Sequence, residues 1–215
     1  MADLVLVDSD VILKLFAYRE ANFITSTMPG APAAMLSIAR FVIRKRSGDY
    51  ISEAENPEPL AALEALFAAL VQIEPTSDEI ELAAELEETA IRKGFDLDVG
   101  EAQLLAILIR REAVFLLTGD KRAVIAINQC MPEPARHRIV CLEQIMATIV
   151  RTTDHNDLRR RICAKPNVDR AMTACFSCST PDVQPDDILA GLRSYCGDLR
   201  QKSGDCLIVA DDMAS

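Results

Sequence analysis

The chain has 215 residues, half of them apolar, enough for one α/β domain with a sizeable buried core and a small appendage. Its formal charge of −10 argues against a broad basic field for gripping duplex nucleic acid, although carboxylates clustered around a metal stay compatible with a nuclease. Seven cysteines, an odd count, and apolar runs as short as Leu4–Val7 argue against a disulfide scaffold, a signal peptide and a membrane span, so reduced thiols in a soluble, cytoplasmic protein are expected.

Leu4 to Val7 reads as a short strand, wholly apolar as a central parallel strand should be, with Asp8 at its carboxyl end. Val11, Ile12, Leu15 and Phe16 then recur at helical spacing. Thr25 to Pro32, with Pro29 and Gly30, reads as a loop, and Ala33 to Lys45 as a helix ending in Arg44-Lys45-Arg46. Asn56-Pro57 is a helix start whose buried stripe is Leu60, Leu63, Phe67 and Leu70, and Val71 to Ile73 reads as a short strand.

Thr76 and Glu79 form a capping box, and the helix that follows ends at Gly94. Asp98-Val99-Gly100-Glu101 opens another helix, with Leu104, Leu105 and Leu108 as its core stripe. Val114 to Leu117 is a second all-apolar strand, and Thr118-Gly119-Asp120 leads into a helix carrying Val124 and Ile127. Arg138 to Cys141 is a third strand, followed by a helix over Leu142 to Val150. This alternation argues a parallel sheet with helices on its faces, where ligands bind outside the carboxyl ends of the strands. From Arg151 the pattern weakens: 151–161 is polar, with a helix through Val168, Met172, Cys175 and Phe176 and another from about Asp186 to Lys202.

Neither His137 nor His155 sits in a zinc pattern or beside an obvious nucleophile, and there is no phosphate-binding glycine loop, which leaves acids at strand ends. Carboxylates gathered from separate elements suit hard cations such as Mg2+ or Mn2+, which activate water and offset charge on a phosphodiester. Leu4-Val5-Leu6-Val7-Asp8-Ser9-Asp10 resembles the opening of PIN-domain nucleases. Leu97-Asp98-Val99-Gly100-Glu101-Ala102 resembles their third acidic motif, and Leu117-Thr118-Gly119-Asp120 their fourth. The resemblance covers about residues 3–145.

It implies a PIN-like three-layer α/β/α fold with a central, mostly parallel sheet over 1–150; the residue pattern beyond it reads as a helical C-terminal extension over 151–215. It also implies a metal-dependent endoribonuclease acting on RNA, single-stranded RNA above all. Many relatives are toxins of bacterial toxin–antitoxin pairs and others process RNA, so a protein inhibitor or regulatory partner belongs to the expectation, as does a homodimer. Carried over by position, Asp8, Glu101 and Asp120 hold Mg2+ or Mn2+ with Asp98 as an extra acid. Ser9 and Thr118 support them, while Lys121 and Arg122 meet substrate phosphate. One departure stands out: the family's early-helix Glu has no counterpart in Leu36 to Val42, leaving Glu53 or Glu55 as substitutes.

Blander readings compete. Asp98 and Glu101 make a capping box that satisfies helix-end amides without metal, and Asp120 complements a helix dipole. Asp10 is a helix-start residue facing solvent or the site edge. Cys175-x-x-Cys178 lacks the second pair that a zinc site needs, so buried thiols are the default, and Arg159-Arg160-Arg161 reads as a solvated face. Two other functions are weighed. One is a non-catalytic binding module on the same scaffold, taking a basic partner. The other is a haloacid-dehalogenase-type phosphatase with Asp8 as nucleophile, against which Val124 stands where a second acid is needed.

Overall fold

The computed structural model describes residues 3–26, 31–48, 50, 58–130, 132–211 and 213. Five strands, β1 (Val5–Val7), β2 (Ala33–Leu36), β3 (Val71–Ile73), β4 (Phe115–Thr118) and β5 (Ile139–Cys141), form one sheet in the order β3-β2-β1-β4-β5. Every pairing is parallel, with Val5 opposite both Ala33 and Phe115. The protein is therefore α/β with an all-parallel sheet between two helical layers.

The layers follow from period-two alternation along buried strands. Val5, Val7, Met35, Leu117 and Val140 point into one core with α1 (Ser9–Ala17) and α4 (Glu58–Ala69). Leu6, Ala34, Leu36, Leu116 and Ile139 point into the other, with α5 (Ser77–Lys93), α6 (Val99–Arg110) and α7 (Lys121–Cys130). The remaining helices are α2 (Phe23–Ser26), α3 (Ala39–Ser47), α8 (Pro132–Ala135), α9 (Leu142–Thr152), α10 (His155–Cys163), α11 (Arg170–Cys175) and α12 (Pro185–Ser203).

Two expectations about secondary structure need correction. Ala33 to Leu36 is not the start of a helix but the strand between β1 and β3, all four residues buried, and α3 begins only at Ala39. Alanine, leucine and methionine favour helices on their own, but two flanking strands offer this backbone hydrogen bonds on both sides and decide the outcome. The stretch 151–161 is not merely polar: Asp154 caps α10 through Asn156 and Asp157 N–H, and Leu158 and Ile162 are buried one turn apart. The Pro29-Gly30 loop, the Asn56-Pro57 helix start, Glu53 and Glu55 lie outside the described residues.

The C-terminal helices complete the core. Leu158, Ile162, Met172, Phe176, Ile188 and Leu192 join the β1-side cluster, while Cys196 and Leu199, further along α12, join the opposite one. Residues 205–208 then run alongside β5: His137 N–H donates to Asp205 O, Arg138 N–H to Cys206 O and Ile208 N–H to Ile139 O. That pairing covers an edge that would otherwise expose free backbone groups. Cys163 and Cys178 form a disulfide, so the expectation of reduced thiols fails for this pair and Cys178 is not available to zinc. Cys163 ends α10, which packs on α11, and Cys178 lies in the turn three residues past α11. Among the described residues no helix is long and apolar enough to cross a membrane.

Candidate functional site

β1 lies between β2 and β4, so the chain's progression across the sheet reverses there and opens a crevice at the carboxyl ends of β1 and β4. Asp8 leaves β1 at that point, its N–H donating to Leu117 O at 2.9 Å. It occupies the N-cap position of α1 without making the side-chain cap bond. Its carboxylate instead accepts from Ser9 Oγ and from Thr118 Oγ1, each at 3.3 Å. Thr118 Oγ1 also accepts from Asp120 N–H at 3.3 Å, so one buried hydroxyl ties the β1 and β4 ends together. Between them Gly119 leaves room for the Asp10–Lys14 ion pair, since a Cβ there would push the Asp10 carboxylate aside and crowd Lys14 Nζ.

α6 brings two more acids to the same crevice. Asp98 Oδ1 accepts from Glu101 N–H at 2.8 Å and Glu101 Oε2 accepts from Asp98 N–H at 2.9 Å, which is the expected capping box. Each carboxylate keeps a second oxygen for the crevice. Asp8, Asp98, Glu101 and Asp120 all line one cleft of about 660 Å³. Burial, then the neighbouring Asp10 and Asp98, push Asp8 up to about 6. Burial, with Asp98, Asp8 and Asp120 nearby, pushes Glu101 up to about 8. Asp120 escapes this: burial would raise it, but the Arg122 guanidinium, 2.9 Å from Oδ2, holds it below the usual carboxylate range.

The basic residues fall into two groups. Lys14 is locked between Asp10 at 2.7 Å and Asp169 at 2.8 Å. Burial would lower its pKa, but these two carboxylates hold it above the ordinary lysine value. Lys121 turns to the buried Glu143, at 2.6 Å, and lies over the Tyr195 ring, while Arg122 binds Asp120 and Asp96. Both expected phosphate contacts line the cleft with their charges already paired. Arg46 and Arg170 are exposed on its rim instead.

Asp10 therefore faces Lys14 and the cleft edge, while Val124 is fully buried and offers no second acid for phosphatase chemistry. The Arg159-Arg160-Arg161 expectation also changes. Arg159 donates to the carbonyls of Phe176 and Ser177, and Arg161 to Glu20 and Tyr18 O; Arg160 alone stays exposed.

Sequence reasoning missed Asp169 and Arg170, which the C-terminal segment lays across the cleft. The local signal was Asp169 as an N-cap, which accepts from Ala171 and Met172 N–H. Nothing local announces that it meets Lys14, 155 residues away. The stretch Leu36 to Val42 supplies no acid to the cleft, which instead receives Arg46 from the end of α3.

The side-chain oxygens of Asp8, Ser9, Asp98, Glu101 and Asp120 that line the cleft are hard donors of the kind that suits Mg2+ or Mn2+. Among the described residues, no three His, Cys, Asp or Glu side chains converge as metal ligands in this arrangement. For these oxygens to close on a cation, side chains would have to rotate, Asp120 away from Arg122 among them. Comparison with protein-family models, with curated proteins and with solved structures returned no match.

Proposed function

We propose that this chain is a metal-dependent endoribonuclease of PIN type that cuts single-stranded RNA. The observation that carries the reading is the arrival of Asp8, Asp98, Glu101 and Asp120 from three separate junctions at one cleft on the sheet's carboxyl edge. Two of them, Asp8 and Glu101, are held partly protonated near neutral pH by burial and mutual repulsion. Such a cluster is costly unless a cation offsets it, and perturbed carboxylates in a cleft are where chemistry concentrates.

Asp8, Glu101 and Asp120 would hold Mg2+ or Mn2+, with Asp98 as a further oxygen donor. When bound, such an ion lowers the pKa of water and offsets charge on a phosphodiester. Ser9 and Thr118 fix the Asp8 carboxylate at the strand end, and Thr118 also anchors the Asp120 backbone. Arg46 and Arg170 on the rim would take the flanking phosphates, a role in which exposed guanidinium groups supply affinity. Lys14 keeps Asp10 engaged and holds the 167–171 segment over the cleft.

A second reading is a non-catalytic binding module on the same scaffold. It is favoured by the full pairing of Asp120 with Arg122 and by the lack of an acid from the β2–α3 stretch. The separating experiment is cleavage of a mixed single-stranded RNA pool with Mg2+ and Mn2+, wild type beside Asp8→Asn. Cutting by the wild type alone is expected. No cutting by either folded protein with both metals moves the assignment to the binding module. Regulation by an antitoxin-like partner and self-association belong to the same proposal.

A further inference from the structure

A second depression opens on the same carboxyl edge, over β2 and β3. Its walls include Ser37, Ile38, Arg40 and Phe41 from the β2–α3 junction, Glu74 after β3, and Gln103 of α6. It measures about 650 Å³, roomy enough for a small ligand. Large apolar side chains stand in water around it: Ile38 is 63% exposed, Phe41 53% and Ile80 50%. Exposed apolar groups gathered at a concave, polar-rimmed site mark a binding surface.

Charge indicates what it binds. In a chain of net charge −10, α3 carries Arg40, Arg44, Lys45 and Arg46 and no acid. Arg44 is paired with Glu64 at 2.6 Å. Arg40 has no ion-pair partner among the described residues and lies over the Phe41 ring, 4.7 Å from its centroid. At the other end of α3, Arg46 lines the acidic cleft. The helix thus runs a basic track from an aromatic platform to the carboxylates.

An aromatic face beside a cationic track is how single strands are held without reading their sequence. A second copy of the chain fits less well. A two-fold contact centred on α3 would set Arg40, Lys45 and Arg46 against their own counterparts.

We propose that this depression seats a nucleobase of single-stranded RNA flanking the bond cut in the acidic cleft. Phe41 is the stacking platform, and Arg40 and Arg46 take the intervening phosphates; the position relative to the cut rests on the nuclease reading. β2 lies next to β1 in the sheet, so this depression and the acidic cleft open side by side on the same carboxyl edge, joined by α3, which lines the first with Arg40 and Phe41 and the second with Arg46. Gln103, whose amide has no hydrogen-bond partner among the described residues, and Glu74 present donors and acceptors to the base edge.

The test uses a fluorescein-labelled 12-nucleotide oligouridylate. Binding is followed by anisotropy in EDTA, and cutting of the same oligonucleotide with Mn2+ is measured in parallel. Phe41→Ala is expected to weaken binding about tenfold, and Phe41→Trp to preserve it. Arg40→Ala should weaken it with a shallower salt dependence. Phe41 is half exposed, so its truncation leaves the fold intact, which the thermal midpoint checks.

Unchanged binding in both Phe41→Ala and Arg40→Ala overturns the subsite; if the wild type still cuts, the nuclease reading stands. Phe41-dependent binding without cutting overturns the nuclease reading and keeps the RNA pocket. A dimer in sedimentation that Phe41→Ala dissociates, with RNA binding unmoved, gives the face to a second copy and overturns the proposal.

Discussion

The N-termini of α5 and α6 are built from the same local device and end in opposite electrostatic states. Glu79 accepts from Thr76 N–H at 2.8 Å and Glu101 from Asp98 N–H at 2.9 Å, each closing a capping box. The second oxygen of Glu79 meets Arg111 Nε at 2.7 Å, and that hydrogen bond holds the carboxyl below its usual range. Glu101 makes no ion pair among the described residues; burial and three neighbouring aspartates push it up to about 8. A capping box settles the helix-end amides and leaves one carboxylate oxygen over. What that oxygen faces decides whether the residue is structural or belongs to a site.

The contrast can be broken from either side. The largest expected effect is on cutting: Glu101→Gln should lower the rate on the order of 100-fold or more, the scale of losing a carboxylate that acts on the reacting centre. Glu79→Gln should leave the rate within about twofold, since it lies beside Arg111 outside the cleft, where an isolated substitution costs stability and not chemistry. Initial rates on single-stranded RNA check both, and equal losses in the two variants would undo the distinction.

Next comes stability. Arg111→Ala should destabilise the fold by about 2 kcal/mol, because it leaves the buried Glu79 carboxylate with its cap bond alone. Denaturant titration measures it, and a change within error would show the ion pair to be idle. A smaller effect is expected from Thr118→Val, which removes the hydroxyl joining Asp8 to the Asp120 backbone: about a tenfold loss of cutting with little change in thermal midpoint. A collapse of the fold instead would make that hydroxyl a structural group.

The most delicate test is pH. A carboxyl raised from 4.5 to about 8 contributes stability that is fully present below 4.5 and lost as pH rises through 8. The metal-free protein should therefore lose thermal midpoint between about pH 4.5 and 8, and Glu101→Gln should flatten that limb. Glu79 is shifted the other way, so its contribution is present above 4.5 and lost as pH falls. Glu79→Gln should flatten only the acid limb. Midpoints measured in EDTA across both limbs decide, and an alkaline limb unchanged by Glu101→Gln would refute the assignment.

The local devices behind this contrast were legible in the sequence; the contrast itself was not. Both capping boxes follow from residues three apart, and β1, β4 and β5 from short apolar runs bounded by polar residues. Asp8, Glu101 and Asp120 were recognisable as strand-end or helix-start acids, and the structure does bring them to one cleft. Yet the same spacing described Glu79 and Glu101 alike, since their difference arises from Arg111 in one case and Asp8 and Asp120 in the other. Lys121 looked free beside Asp120 because its partner, Glu143, sits on α9.

The chain's local spacing by itself determined the alternating α/β order, the helix caps and the identity of the acids at the strand ends, because those depend on interactions within a turn or a strand. Only tertiary structure decided that Ala33–Leu36 is a central strand, that Asp169 and Arg170 return to the cleft, and that Cys163 pairs with Cys178. Each of these is settled by groups brought together across the fold: flanking strands, a lysine 155 residues upstream and two packed helices. A helix former becomes a strand where both neighbours offer backbone hydrogen bonds, and a carboxylate takes its charge state from whatever the fold sets beside it.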